Sequence, residues 1–522
     1  MSVMMYTIYT IQHTGQRGGI ALLATLLFSF SAPAAAVHGD DLLRCETTGM
    51  AADWSDSERL DELIDGLRNL YRHGLHPDLY SLRELVTIRE HLSLWGSLSD
   101  CENQLAETTF HRALLDLKFG RIDPQARGIT WQSPLMPPPR HQEALSGLLA
   151  EAGNSPKQAF ELARPENPDY PALLQVYRQA LQDYPSWWPL IEAGPTLKEG
   201  SEDPRVPHLK QRLRAQGYLD DPPQDDGNPE AYDAAVANAV RSFQRDFNLY
   251  PDGRAGRSTL EALNRPPGEL IDTLRANLER LRWPFNAPLH RGLVIDIAGA
   301  EATLYDEGKA VWSGRVQVGK PGRETPEVRS LITHVTRNPA WNIPTSIFME
   351  NKLPRIRRDP DYLEDHNLRV LDHSGNELAP DQVDWASPAG VRLQQQPGPA
   401  NPLGSVVIRF SNPYAVYLHD TPAGNLFQST ERFYSHGCVR VEGAETLAGL
   451  LFSLHDWRTE TVATGSYSSG EPRNVHLPRS VPVLMTYRTA YIDKNHRLQF
   501  RRDGYQRDHR LITLLDTPEP GR

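Results

Sequence analysis

Tyr417-Leu418-His419-Asp420-Thr421-Pro422 and, after fifteen residues counted from Asp420 to Tyr434, Ser435-His436-Gly437-Cys438-Val439-Arg440 are the stretches on which the reading of this chain turns. His419 ends an apolar run, Ala415 to His419, that reads as a strand, so its side chain is held on a rigid element. A cysteine and an imidazole are the minimum for covalent acyl transfer, and an imidazole can take the thiol proton. A helix with Leu447, Leu450, Leu451 and Leu454 on one face begins soon after Cys438, and its dipole is expected to favour a thiolate. Gly437 lets the backbone come close to a substrate, and the N–H groups around Cys438 suit an oxyanion hole.

Outward from these runs the texture is β-rich. Leu293–Ile297, Ala302–Tyr305, Ala310–Val318 and Val406–Phe410 are short, β-branched and separated by turn residues, and read as strands of one domain. A polar, basic insertion from Ser346 to Gln396 interrupts it, with Lys352, Arg355, Arg357 and Arg358. Ala490–Asp493 and Leu498–Arg501 read as a terminal hairpin. Towards the N-terminus the pattern is helical: Leu60, Leu63, Ile64, Leu67 and Leu70 recur at three- and four-residue steps, as do Leu174, Tyr177 and Leu181. Leu270, Leu274, Leu278 and Leu281 line one side of a connector helix.

With 522 residues the chain has room for three or four domains, and a net charge of −11 argues against nucleic acid as the main partner. Residues 1–36 have the order of a secretory signal: Arg17, an apolar run Ile20–Phe30, and the small-residue stretch Ser31–Ala36. The alternative is an uncleaved anchor that tethers the chain to the membrane. Either way the remainder is expected outside the cytoplasm. There, two of the three cysteines, Cys45 and Cys101, read as a disulfide contributing roughly 4 kcal/mol, the alternative being two free buried thiols. That leaves Cys438 as the odd, reactive thiol.

Residues 205–264 contain a helical face at Val236, Val240, Phe243 and Phe247, then the turn Asp252-Gly253-Arg254-Ala255-Gly256, with Ser258 or Thr259 expected to cap a last helix. This order of Phe-Gln, Asp-Gly-x-x-Gly and Thr-x-x-Ala-Leu-Asn resembles the small three-helix peptidoglycan-binding domain of bacterial wall enzymes. His419 and Ser435–Cys438 together resemble the signature of the L,D-transpeptidase family, whose catalytic domain is of the YkuD type. Pro339–Pro344, Gln396–Gly404 and Tyr417–Pro422 extend the likeness, and the layout is similar to the large YcbB-like subgroup.

The resemblance implies a multidomain α+β chain: signal 1–36, helical scaffold 37–200, peptidoglycan-binding domain 201–266, connector 267–289, catalytic domain 290–488 with a lid at 346–396, and a hairpin and tail at 489–522. It implies Cys438 as nucleophile and His419 as base and acid, oriented by the Asp420 carbonyl. Gly437 and Cys438 line the oxyanion site, with Ser435 and His436 in support. Arg440, Tyr417 and Trp341 are implied at the substrate, although Arg440 has a competing reading as the partner of Glu442 and Trp341 as a core residue. The implied substrates are a donor tetrapeptide stem and the diamino acid of an acceptor stem, joined 3–3 with release of D-alanine in the periplasm. Acylation by carbapenems is implied too, with no cofactor and no metal. Water or a lipoprotein lysine as acceptor would instead make a carboxypeptidase or an attachment enzyme, and a retired site would leave a wall-binding adaptor. The chain has no Ser-x-x-Lys, His-Glu-x-x-His or Gly-x-Ser-x-Gly, the marks of other wall hydrolases and transferases.

Overall fold

The computed structural model describes residues 52–518 except 137–139, 221–227, 360, 430, 455–469 and 494. The expected signal, and Cys45 with the Cys45–Cys101 pair, lie outside the described residues. Among those described, no helix is long and apolar enough to cross a membrane.

The N-terminal part is helical where the apolar stripes require it. Helix Ser57–Asn69 starts at Asp56, whose carboxylate accepts from the Glu58 and Arg59 N–H groups, and it buries Leu60, Leu63, Ile64 and Leu67. Helix Asp100–Phe119 begins with a capping box, Ser99 and Glu102 each accepting from the other's backbone. One strand, β1 (Thr130–Gln132), leaves this helical region and pairs parallel with a strand of the catalytic domain.

The next unit has three helices, Val206–Ala215, Ala234–Asp246 and Arg257–Leu263. Buried Gln244 explains the spacing of its motif. The Gln244 Oε1 accepts from the Gly253 N–H at 2.8 Å, and its Nε2 donates to Asp252 Oδ1, the Arg254 carbonyl and Thr259 Oγ1 at 2.9 to 3.1 Å. Thr259 therefore serves this network; the last helix has no side-chain cap.

The catalytic domain is built on β2 (Gly292–Asp296), β3 (Glu301–Asp306), β4 (Lys309–Gly319), β5 (Glu327–Arg337), β6 (Trp341–Asn342), β7 (Leu368–Leu371), β8 (Arg392–Gln395), β9 (Val406–Phe410), β10 (Leu418–His419), β11 (Phe433–Ser435), β12 (Val439–Val441) and β13 (Arg473–Thr486). Neighbouring strands run β13-β2-β3-β4-β12-β10-β9, and β5 pairs with both β9 and β13, so the sheet closes on itself. Its interior holds Leu293, Ile295, Val316, Val318, Ile408, Leu418, Val439 and Val441, together with Leu447, Leu451 and Phe452 of helix Ala444–Ser453. The expected strand Ala415–His419 shortens to β10. Asn412 holds the preceding residues in a loop, accepting from the Tyr414 and Val416 N–H groups at 3.1 and 3.0 Å and donating to the Val416 carbonyl at 2.8 Å.

The insertion has a core of its own. Strands β6, β8 and β7 form a small sheet, and Trp341, Phe348, Leu353, Tyr362, Leu368 and Leu393 pack together, with Val407 of β9 and Tyr417 beneath them. The terminal hairpin is β14 (Ala490–Ile492) with β15 (Leu498–Phe500). Past it a further helix, Arg507–Asp516, places Leu511 and Leu515 in the scaffold core, an i, i+4 pair the sequence reading passed over.

The connector helix, Pro267–Arg282, is buried on more than its leucine side. Leu270, Leu274 and Leu278 join the apolar cluster made by helix Asp169–Asp183 and the peptidoglycan-binding unit, while Ala276 and the following Trp283 join the scaffold core. Its charged residues are paired inside. Arg282 meets Glu279 at 3.0 Å with both side chains fully buried, and Glu279 Oε1 accepts from the Ile122 N–H at 2.8 Å. Arg280 meets Asp508 at 2.6 Å and Arg275 meets Asp516 at 2.6 Å, tying the last helix to this one. Removing one member of a buried pair leaves an uncompensated charge and costs about 3–5 kcal/mol. Glu279→Ala is therefore expected to lower the denaturation midpoint by an amount of that order. A surface-like change, under about 1 kcal/mol, in a urea titration would refute the assigned role.

Candidate active site

The site follows from strand register. β10 runs parallel to β12 with Leu418 beside Val439 and His419 beside Arg440, and the Val439 N–H donates to the Tyr417 carbonyl at 3.1 Å. Leu418, Val439 and Val441 point into the core, so by alternation Tyr417, His419, Cys438 and Arg440 share the outer face. His419 and Cys438 stand diagonally across two strands, about 8 Å apart at Cα from strand rise and spacing. The sequence placed these residues together, and the structure does bring them to one surface.

His419 is buried and oriented. Its Nδ1 donates to the Asp420 carbonyl at 2.6 Å, which leaves Nε2 as the free basic nitrogen. Burial, helped by the nearby Arg440 charge, pushes its pKa down to about 3, so the ring is neutral. The Asp420 carboxylate is itself held, accepting from Ser405 N–H at 2.9 Å and Ser405 Oγ at 3.0 Å. Gly404 fits against it with φ +63°; a Cβ there would run into the Asp420 carboxylate. Ser405 and Gly404 thus fix the residue that fixes the base. Only the second lay in a stretch read as family-like.

Cys438 is the free cysteine among the described residues and is half-buried, with Sγ 3.9 Å from the Ala415 carbonyl. Burial raises its pKa, against the opposing influence of Tyr417, Arg409 and Arg440. This overturns the expectation of a thiolate favoured by a helix dipole: helix Ala444–Ser453 begins six residues on, behind Gly443, and desolvation dominates. The resting pair is a thiol and a neutral imidazole.

The turn before Cys438 is pinned by Ser435. Its Oγ accepts from the Gly437 N–H at 3.0 Å and donates to the Cys438 carbonyl at 2.5 Å. The Gly437 N–H is thus engaged, leaving the Cys438 N–H, which bonds no described residue, to face an oxyanion. Gly437 adopts φ +113°, open mainly to glycine, and its carbonyl accepts from Thr325 Oγ1 at 2.9 Å. His436 is exposed, beside Lys320 and Arg323, and is not brought into contact with the pair.

Arg440 does not pair with Glu442, which instead makes a two-pronged ion pair with Arg315 at 2.8 and 2.9 Å. Arg440 donates only to Gln317 Oε1, at 3.1 Å, and its Nε is buried without a partner. Tyr417 lies against His419, with ring centroids 5.7 Å apart, and its hydroxyl reaches the Cys438 thiol. Trp341 is buried in the insertion's core, in contact with Tyr417, so it supports the site through that tyrosine. Of the basic run, Arg357 is structural, donating to the Trp385 and Ala386 carbonyls at 2.7 and 2.8 Å. Among the described residues no group of three or more His, Cys, Asp or Glu side chains gathers to hold a metal.

Comparison with known proteins places three family models along the chain. Residues 290–452 match the family model described as "L,D-transpeptidase catalytic domain" (YkuD), residues 202–263 the "Putative peptidoglycan binding domain", and residues 47–176 a "Scaffold domain". A Haemophilus influenzae protein named "Putative L,D-transpeptidase" is 31% identical over 265 residues, 49% of this chain and 52% of that protein, so the match spans about half of the relative's length. The Mycobacterium tuberculosis N-acetylmuramoyl-L-alanine amidase CwlM is 31% identical over 125 residues, 23% of this chain and 29% of that protein. An L,D-transpeptidase structure from Xylanimonas cellulosilytica matches at 17% identity, covering 56% of this chain and 99% of that one, with a TM-score of 0.18, too low to bear on the fold. Residues 290–452 are an L,D-transpeptidase catalytic domain of the YkuD family, on a chain that also carries a peptidoglycan-binding domain and a helical scaffold.

Proposed function

We propose that the chain forms 3–3 peptidoglycan cross-links outside the cytoplasm, in the periplasm, through an acyl-enzyme on Cys438. The observation that carries this is the meeting, on one face, of a free cysteine, a buried neutral histidine with Nε2 open, and an arginine without a carboxylate partner.

The thiol attacks the carbonyl at the L-centre of the third-position diamino acid in a donor tetrapeptide stem. Its proton passes to His419 Nε2 as the C–S bond forms, and the Cys438 N–H donates to the oxyanion. Collapse breaks the peptide bond, and His419 returns the proton to the departing D-alanine amine. The side-chain amine of an acceptor stem then attacks the thioester, His419 takes the amine proton, and the thiol is restored. Because thiol and imidazole are both neutral at rest, proton transfer accompanies attack rather than preceding it. Arg440 suits a substrate carboxylate, which its guanidinium can hold at two points.

Mature protein incubated with disaccharide-tetrapeptide is expected to give dimers lacking one D-alanine, read by mass spectrometry. Tripeptide alone would show water to be the acceptor, and unchanged substrate would refute the enzyme reading. Cys438→Ala should abolish turnover and any covalent carbapenem adduct, and His419→Ala should cut kcat/KM by about 10²–10⁴.

The protonation states give a separate expectation. Labelling of Cys438 by iodoacetamide should rise only at a pH above that at which an ordinary thiol is labelled, because burial raises its pKa. A plateau already reached between pH 5 and 7 would reveal a thiolate–imidazolium pair and contradict the neutral resting state.

A further inference from the structure

The register of the closed sheet extends the active-site face beyond Cys438. In the antiparallel β9–β10 pair, Ile408 stands beside Leu418 and Val407 beside His419, which puts Arg409 opposite Tyr417. Arg409 is in turn the partner of His334 on β5, and His334 the partner of His476 on β13. Cys438, Tyr417, Arg409, His334 and His476 therefore form one row across five neighbouring strands. At about 4.8 Å per strand, the row is roughly 19 Å long.

Its side chains share a side of the sheet. The Arg409 guanidinium lies over the Tyr417 ring at 4.7 Å, and the His334 and His476 rings are 5.0 Å apart. The charge of Arg409 is felt at Cys438 and at His419 on one side and at His334 on the other. Neither Arg409, His334 nor His476 meets a carboxylate among the described residues, and Arg440 flanks the start of the row in the same condition. His334 has only Thr333 Oγ1, at 2.9 Å from its Nδ1. Arg409 supplies a charge without a counter-ion, while burial, with His476 and Arg409 nearby, holds the His334 pKa down, so the histidine pair offers ring N–H donors; a guanidinium followed by such donors, beginning at Cys438, is built to receive anions.

We propose that Arg409, with His334 and His476 beyond it, is a binding track for a carboxylate-bearing peptide lying across the strands from Cys438. The inference rests on the acyl-transfer reading of Cys438 and adds the direction and charge of the donor. About six extended residues cover the row at about 3.3 Å each. Arg409 meets a carboxylate near the scissile bond, and the histidine pair meets a second one further along. The Tyr417 ring holds the guanidinium in place by stacking, so a lysine at 409 keeps charge but loses orientation.

Two measurements separate this inference from the proposed function. Alkylation of Cys438 by iodoacetate, a carboxylate probe, is compared with alkylation by neutral iodoacetamide; in both, the thiolate sulfur bonds to the methylene carbon and iodide leaves. Arg409→Gln should lower the iodoacetate-to-iodoacetamide rate ratio at least fivefold, and Arg409→Lys should restore part of it. An unchanged ratio, or equal slowing of both reagents, would overturn the track.

With disaccharide-tetrapeptide as donor, the His334→Gln/His476→Gln variant should raise KM several-fold while kcat stays within about twofold. A KM equal to wild type would remove the histidines from the track. Should the wild-type protein not turn over the donor at all, the proposed function fails, while the alkylation ratio still decides the role of Arg409.

Discussion

The helical and sheet parts of this molecule meet on one helix whose C-terminal half, Ala276 to Arg282, is wholly buried. Pro267–Arg282 gives its leucines to the cluster of helix Asp169–Asp183 and the peptidoglycan-binding unit and Ala276 to the scaffold, and Arg280, Arg282 and Glu279 find partners inside. Charges are costly to bury, and those of Glu279 and Arg282 are tolerated because each has a partner and Glu279 also takes a backbone N–H from the scaffold. Such pairs contribute more to position than to net stability: the helix can adopt one rotation and one depth. The segments that follow the closed sheet, the Thr489 turn and the last helix, then take their place against that fixed element, through Asn277 to Thr489 at 2.7 Å and Arg280 to Asp508.

Within the catalytic domain, geometry is fixed by bonds to backbone rather than by charge. The imidazole is set by the Asp420 carbonyl, Asp420 by Ser405, and the cysteine turn by Ser435 and Thr325. A thiol whose pKa is raised by burial, beside a neutral imidazole, is kept unreactive towards casual electrophiles. Under the proposed function, reactivity is released by a substrate that brings its own polarised carbonyl within reach.

The sequence was most legible where local pattern and chemistry coincide. His419, Cys438, the leucine stripes and the Gln244-centred motif stand in the structure as their spacing suggested. Their surroundings were less readable. Asp508 meets Arg280, and Glu279 meets Ile122, each across more than a hundred residues of chain, and nothing in any one segment signals the meetings. The thiolate expectation failed because a helix start can be seen in sequence whereas desolvation cannot. Arg440 and Glu442 looked like neighbours two residues apart, but their partners lie on other elements, Gln317 and Arg315, both on β4. Arg409 left a faint signal, a single charge in the apolar strand Val406–Phe410; only the register of three further strands gave that charge its company.

β13 has the last word on how this chain must be handled. It lies between β2 and β5, pairing with both, yet its residues 473–486 come after the stretch 290–452 that carries His419 and Cys438. β1, from the helical region well over a hundred residues earlier, borders β5 as well. A piece cut to the catalytic stretch alone would be a cask with one stave missing, its open edges ready to pair with other chains. The ribosome faces the same order of assembly. His419 and Cys438 have both been made before the strand that seals their sheet exists, so their sheet is completed only once β13 has followed them.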